Sequence, residues 1–330
     1  MTILNPTPRS SVPSTTTRET PRLNAAAGEE IRANRHARAD QKRRMSKSTP
    51  EMPSQSISSA PAPQQTLRLL SYNIQAGIAM SNYSHYLTRS WQHLLPHPER
   101  VQNLNAIAQL INDFDIVGLQ EADAGSLRSG FINLTEYLGI QAGFPYWYDQ
   151  TNRNLGKFAQ HSLGFLSRFC PSEVREHRLP GVPGRGVLVA RYGYGSDALA
   201  VMIMHLALGK RARLRQFGYV GELLQSVRHA VVMGDLNCRC DSDEMRWFMS
   251  RSGLREPTED TCTYPSWRPN RTLDHILVSP SLRVKHTQVL SHLYSDHLPV
   301  TMEVVLPEEV RLQPMRPELL RGSWRAVASA

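Results

Sequence analysis

The chain reads as an α/β protein built on a mixed or antiparallel sandwich of sheets. Three observations predict this. Eight short apolar runs, rich in Val, Leu and Ile, lie between residues 66 and 306. Only two stretches in that region, 99–112 and 211–226, carry a helical reading of comparable length. The gaps between the late runs are hairpin-length, too short for the crossovers of an all-parallel sheet.

The elements follow in order. LRLLSYN (67–73) is alternating and apolar-rich and ends in Asn73, which predicts a strand with a polar tip. A long loop, 75–97, holds His85, His93 and His97. The last two have the i, i+4 spacing of a zinc helix, but Pro96 and Pro98 break any helix there, so they read as loop histidines. In 99–112, Val101, Leu104, Ala108 and Ile111 recur at helical spacing. DIVGLQE (115–121) is a strand ending in Glu121, and GFPYWYDQ (143–150) reads as a buried strand rather than an exposed aromatic surface. HSLGFLSR (161–168) and RGVLVARY (185–192) are strands, with a turn at PGVPGRG (180–186) that lacks the Lys-Ser/Thr of a nucleotide-cradling loop. ALAVMIMHL (198–206) is a buried strand ending near His205, and HAVVMGDLN (229–237) is another running into Asp235 and Asn237. LDHILVS (273–279) and LPVTMEVVL (298–306) complete the set. The repeated theme is an apolar strand whose end carries Asn, Glu, His or Asp. Gathered on one edge, such ends build a polar, acidic pocket.

The flanks differ in composition. Residues 1–65 have few apolar side chains and prolines at 6, 8, 13, 21, 50, 53, 61 and 63. Such a stretch cannot bury enough apolar surface to offset its ordering entropy, so it reads as a disordered arm. Residues 307–330 read as a tail broken by Pro307, Pro314 and Pro317. The span 66–306 is long enough for one large domain with a sizeable core. No run of 18 apolar residues occurs; the best candidate, Ala198–Leu208, contains His205, so no membrane-spanning helix is expected. No secretory h-region is visible at the start, which leaves a cytoplasmic location as the expectation. Four cysteines among 330 residues make no disulfide framework, and no repeat period supports a solenoid or coiled coil.

The formal charge of +9 invites a nucleic-acid partner, but its distribution weakens that reading. Residues 1–65 carry ten Lys/Arg against five Asp/Glu, with a basic run around Arg32, Arg35, Arg38, Lys42, Arg43, Arg44 and Lys47. The run reads first as a solvated tail and second as a polyanion-binding arm acting through counterion release. GKRARLRQ (209–216) adds Lys210, Arg211, Arg213 and Arg215, but at the start of a helix these need not share a face.

The candidate site residues are Asn73, Glu121, His205, Asp235, Asn237, Asp274, Asp296 and His297, in the motifs SYNIQAG, LQEAD, MHLAL, GDLN, LDHIL and SDHLPV. Each alone has an ordinary structural reading: a surface turn for Glu121, an Asx turn for Asp235-Leu-Asn237, a turn cap for Asn73. Together and in this order they closely resemble the endonuclease/exonuclease/phosphatase superfamily, over roughly 66–306. The resemblance implies a four-layered, DNase I-like α/β sandwich of two packed mixed sheets flanked by helices. It implies a metal-dependent phosphoesterase acting on a phosphodiester through an activated water. Magnesium is the expected ion, with manganese as substitute, because it takes one or two carboxylates plus waters and substrate oxygens.

By the same resemblance, Glu121 is the principal metal ligand, with Asn73 beside it and Asp296 as a second carboxylate. Asp235 binds or deprotonates the attacking water, and Asn237 orients it or contacts phosphate. Asp274 fixes the tautomer of His297 and raises its basicity. His205 stabilises phosphate oxygens or assists the leaving group. The base role stays open between Asp235 and His297. Arg185, Arg268 and Asn270 are candidate substrate contacts. Ser162-Leu163-Gly164 stands where many members carry a Gly-Asn-Ala-type segment, so one substrate contact is missing from its usual place; His161 is a candidate substitute. Cys238 and Cys240 read as reduced thiols near the site. Phosphomonoesters and phospholipid head groups are alternative substrates on this scaffold, and a non-catalytic polyanion-binding scaffold is the further alternative.

Overall fold

In a computed structural model of the chain, the residues described are 65–77, 98–126, 129, 131–154, 160–257 and 262–313. The expected arm (all but residue 65), the histidines at 85, 93 and 97, the side chain of His161 and the chain from 314 onward lie outside them.

Strands and helices alternate in the first part of the domain. Strand β1 (Thr66–Asn73) is followed by helix α1 (Pro98–Ile111), strand β2 (Ile116–Asp123), helix α2 (Leu134–Gln141) and strands β3 (Tyr146–Asn154) and β4 (Gln160–Ser167). Strands β5 (Glu173–Arg178), β6 (Gly186–Tyr192) and β7 (Leu199–His205) lead to helix α3 (Lys210–Leu224) and strand β8 (His229–Asp235). Helix α4 (Asp243–Ser252) and strands β9 (Asp274–Val278), β10 (Arg283–Val289) and β11 (Val300–Val305) complete the order.

Two mixed sheets result. One has the order β10-β11-β1-β2-β4-β3, the other β5-β6-β7-β8-β9. Each contains one parallel pair at its heart, β1 with β2 and β7 with β8, and every other pairing is antiparallel. A parallel pair needs a crossover, and α1 and α3 supply the two.

Side-chain alternation along the strands makes three apolar layers. Leu67 and Leu69 of β1 face Val201 and Ile203 of β7 and Val231 and Met233 of β8 in the core between the sheets. The opposite face of β1, with Leu70 and Tyr72, packs on Leu104, Ile107 and Ile111 of α1 and Leu138 of α2. Met202 and Met204 of β7 likewise pack with Phe217 and Val220 of α3 and Phe248 of α4. Helices, sheet, sheet and helices therefore form four layers, and the strands read as near-continuous apolar runs because both faces are covered. Apolar packing also continues past residue 306, where the tail was expected to begin: Val310 and Leu312 are buried in the inter-sheet core.

The elements that the sequence pattern did not expose are short or polar. Helix α2 begins on Asn133, whose side chain accepts from the backbone N–H groups of Thr135 and Glu136. Helix α4 begins on Ser242, which accepts from Met245 N, and ends at Gly253 in the left-handed conformation. Strands β5 and β10 are polar edge strands (EVREHR and RVKHTQV) that bury little. None of the described helices is long and apolar enough to cross a membrane.

Candidate active site

The ends of the two parallel pairs point to the same place. Asn73 closes β1 opposite Gln120 of β2, so Glu121 comes next along β2. In the other sheet, His205, Asp235 and Asp274 occupy one row across β7, β8 and β9. A hydrogen bond joins the two groups: Asn73 Nδ2 donates to Asp235 Oδ2 at 3.2 Å.

The backbone explains why these residue types stand there. Gly234 has φ 148°, and a Cβ on it would overlap the Met204 carbonyl oxygen of the paired strand. Glycine thus lets β8 deliver Asp235 hard against β7. Two site residues hold left-handed backbone without being glycine, Glu121 (φ 54°) and Asn237 (φ 53°). Asn accepts that conformation readily, whereas for Glu it marks strain, of the kind kept where a side chain must be aimed. Glu121 lies in a register break between Leu119 and Ala122 against β4, which turns it out of the ladder.

Asp235 is the hub. Its Oδ1 accepts from Asn237 N at 3.0 Å, and its Oδ2 lies 3.3 Å from His205 Nε2 and 3.9 Å from His297 Nε2. Asn237 Nδ2 donates to Leu206 O at 3.0 Å, which fixes the amide across the strand ends. His297 Nδ1 donates to Asp274 Oδ2 at 2.7 Å. The same carboxylate oxygen accepts from Thr263 Oγ1 at 2.6 Å, while Asp274 Oδ1 is buried with no hydrogen-bond partner. The ring of Tyr264 lies 4.9 Å from that of His297. Asp296 Oδ1 accepts from Ser295 Oγ at 3.2 Å, and Ser266 N donates to Asp296 O, lacing the 263–266 segment to the loop before β11.

Charge is distributed unevenly. Burial pulls the His297 imidazole down, but Asp274, Asp235 and Asp296 outweigh it and raise its pKa to about 10, so it is a cation at neutral pH. Burial and the nearby Arg185 guanidinium hold His205 down at about 3, so it is neutral. The 3.3 Å contact of His205 with Asp235 is therefore not an ion pair. Burial pushes the Asp235 carboxyl up to about 7; His297 opposes this, while Asp274 and Glu121 add to it. Burial likewise pushes Asp296 up to about 6, opposed by His297 and reinforced by Glu121.

These shifts bear on a metal. Asp235, Asp274 and His297 offer ligand atoms within 4.8 Å of one another. Two of these, Asp274 and His297, are already joined to each other by a hydrogen bond. The oxygen set of Glu121, Asp235 and Asp296 fits a hard cation better, since Glu121 raises the pKa of both aspartates through repulsion that a divalent ion removes.

The remaining predicted residues divide. Arg185 lines a cleft with Glu121 and His205, and Asn152, Ser162 and Leu163 share it. Arg268 and Asn270 sit exposed on the turn after Pro265, where their backbone N–H groups donate to Pro265 O and Tyr264 O. Cys238 is buried and burial pushes its thiol up to about 12, which makes it a poor nucleophile. The sequence reading did not single out Thr263, Tyr264 or Asn152. Thr263 and Tyr264 lie only ten or so residues before Asp274 in TYPSWRPNRTLDH, and the polar-aromatic pair beside that motif was the available signal.

Comparison with known proteins agrees with this geometry. The model of the Endonuclease/Exonuclease/phosphatase family matches residues 70–297. No curated protein matches the chain. Among solved structures, an endonuclease/exonuclease/phosphatase family protein from Bacteroides thetaiotaomicron is 20% identical, with a TM-score of 0.58 over 74% of this chain and 100% of that one. The mannosyl-6-phosphatase Bt3783 of the same organism is 21% identical, with a TM-score of 0.56 over 73% of this chain and all of its own. The human Nocturnin catalytic domain, solved with a sulfate anion, is 18% identical, with a TM-score of 0.55 over 73% and 95%. At these identities the structures show a shared fold. With the family model spanning the site from β1 to His297, the chain belongs to the Endonuclease/Exonuclease/phosphatase family, hydrolases that act on phosphate esters.

Proposed function

We propose that the chain hydrolyses a phosphodiester in a magnesium-dependent reaction, with manganese as a working substitute. The observation that carries this reading is the convergence of Asn73, Asp235 and the Asp274–His297 couple at the ends of the two parallel strand pairs, within the family match; burial there also pushes the Asp235 carboxyl up toward neutrality. A general base works best with a pKa near the working pH. This assigns the base to Asp235 and leaves His297 to neutralise a phosphoryl oxygen.

Glu121 and Asp296 hold the cation, with Asp235 and Asn73 at its border. When bound, the ion supplies positive charge to oxygens that become more negative as the phosphorus centre is attacked. Asp235 takes the proton of a water that Asn237 orients. The new P–O bond forms in line with the one that breaks, and the departing oxygen takes a proton from solvent. Asp274, itself anchored by Thr263, keeps the His297 proton on Nδ1 and the ring aimed by its hydrogen bond. Arg185 faces the cleft as the second cation.

The test is turnover of bis-p-nitrophenyl phosphate and p-nitrophenyl phosphate with and without magnesium, using Asp235→Asn as control. Metal-dependent release from the diester, lost in Asp235→Asn, supports the reading. Equal rates for the two proteins overturn it, and a preference for the monoester moves the substrate class. Abasic and intact DNA, RNA, phosphoinositide and sphingomyelin then separate the natural substrates.

A further inference from the structure

Two neighbouring ladders break at the same level. Between β2 and β4 the register slips between Leu119 and Ala122, and between β3 and β4 it slips between Thr151 and Arg153. Ser162 of β4 is the shared partner, paired with Ala122 on one side and Thr151 on the other. The first break turns out Glu121. The second leaves Asn152 as the extra residue of β3, and it lines the same cleft as Glu121, His205 and Arg185. A bulge re-aims a side chain that the regular pleat would have sent elsewhere.

The opposite wall makes room for it. A Cβ on Gly186, the first residue of β6, would overlap Asn152 Oδ1 and stand 2.8 Å from Gln150 Nε2. Gln150 is itself tied to the second sheet, donating to His177 O at 3.1 Å. Asn152 therefore reaches across from the six-stranded sheet and rests on the bare backbone of the five-stranded one, one residue from Arg185.

We infer that Asn152 is a substrate-positioning residue that binds a hydroxyl of the sugar esterified to the scissile phosphate. The inference rests on the phosphodiester reading above and adds the group beside the phosphorus. A carboxamide presents both donors and an acceptor, which matches a hydroxyl; a guanidinium only donates and matches a phosphoryl oxygen. Arg185 and Asn152, facing the same cleft from opposite walls, divide the two tasks. The arrangement also supplies an amide from β3 where Leu163 of β4 offers none.

The test uses full-length protein and two probes, uridine 5′-monophosphate and its 2′,3′-dideoxy analogue, titrated calorimetrically. Wild type binds the diol about tenfold more tightly, the size of one well-made hydrogen bond to a hydroxyl. In Asn152→Ala that preference falls to within about twofold, and Gly186→Ala, whose methyl displaces the amide, loses it as well. A merely structural role moves both affinities together and leaves their ratio alone. A ratio near one in wild type, or an unchanged ratio in Asn152→Ala, overturns the inference. Turnover of bis-p-nitrophenyl phosphate is read in parallel, and its absence from wild type overturns the catalytic reading without touching the binding ratio.

Discussion

Asn73, at the end of one sheet's central strand, donates to Asp235, at the end of the other's, across 162 residues of sequence. Its own Oδ1 accepts from Gln75 N at 3.2 Å, so the amide is held at both ends. Asn73→Ala removes the clasp and strips Asp235 of a buried donor. We expect kcat to fall by about two orders of magnitude and stability by about 1–2 kcal/mol, the cost of a lost buried hydrogen bond. Steady-state kinetics and a urea melt measure the two effects.

Glu121→Gln separates metal binding from folding. The carboxylate raises the pKa of both Asp235 and Asp296, so its removal relieves repulsion between them. The variant therefore melts no lower than wild type. Its magnesium requirement rises by at least tenfold and its turnover drops, which a magnesium titration of activity checks. An unchanged titration removes Glu121 from the ligand set.

The pH profile of kcat/KM follows from the two shifted groups. Asp235 must lose its proton to act as base, so activity rises with pH through a limb at or below about 7, lowered further by a bound cation. His297 must keep its proton, so activity falls again near 10. His297→Asn lacks the alkaline limb, and its acid limb moves to higher pH because His297 no longer lowers the Asp235 pKa. Loss of the acid limb instead in that variant assigns the base role to His297.

A second histidine gives a stability prediction of defined sign. His275 is fully buried, with Nδ1 2.6 Å from Glu256 Oε1 and Nε2 donating to Cys238 O at 2.7 Å. Burial pulls its pKa down, but Glu256 and the Cys238 carbonyl outweigh it and the net shift is upward. A raised folded pKa stabilises the protein fully below the unfolded value, ~6.5, and the gain is lost as pH rises through the folded value. Glu256→Gln should therefore cost about 3 kcal/mol at pH 5.5 and progressively less on the alkaline side. Chemical denaturation of both proteins between pH 5.5 and 9 measures the difference, and a gap that widens with pH contradicts the assignment.

The sequence displayed the parts of the molecule that are apolar and continuous. Strands β1, β7 and β8 are covered on both faces, so their runs stand out, and their polar ends locate Asn73, His205 and Asp235 without any structure. Strands β5 and β10 lie on sheet edges and carry charged residues, so no alternation marks them. Arg268 and Asn270, candidate substrate contacts in SWRPNRTLDH, lie on an exposed turn. Asn152 was illegible for a different reason. Only a register slip between two strands brings it into the cleft, and slips of one residue leave no trace in composition or period.

The pairing of Thr66 with Val305 has a practical outcome. The first and last strands of the sandwich start and finish as neighbours, at the end of β1 away from Asn73. Eight residues of extended chain separate that point from the site, roughly 25 Å. A fluorophore, affinity handle or fused protein joined at either end of the sandwich therefore enters from its far rim and leaves the mouth of the cleft open.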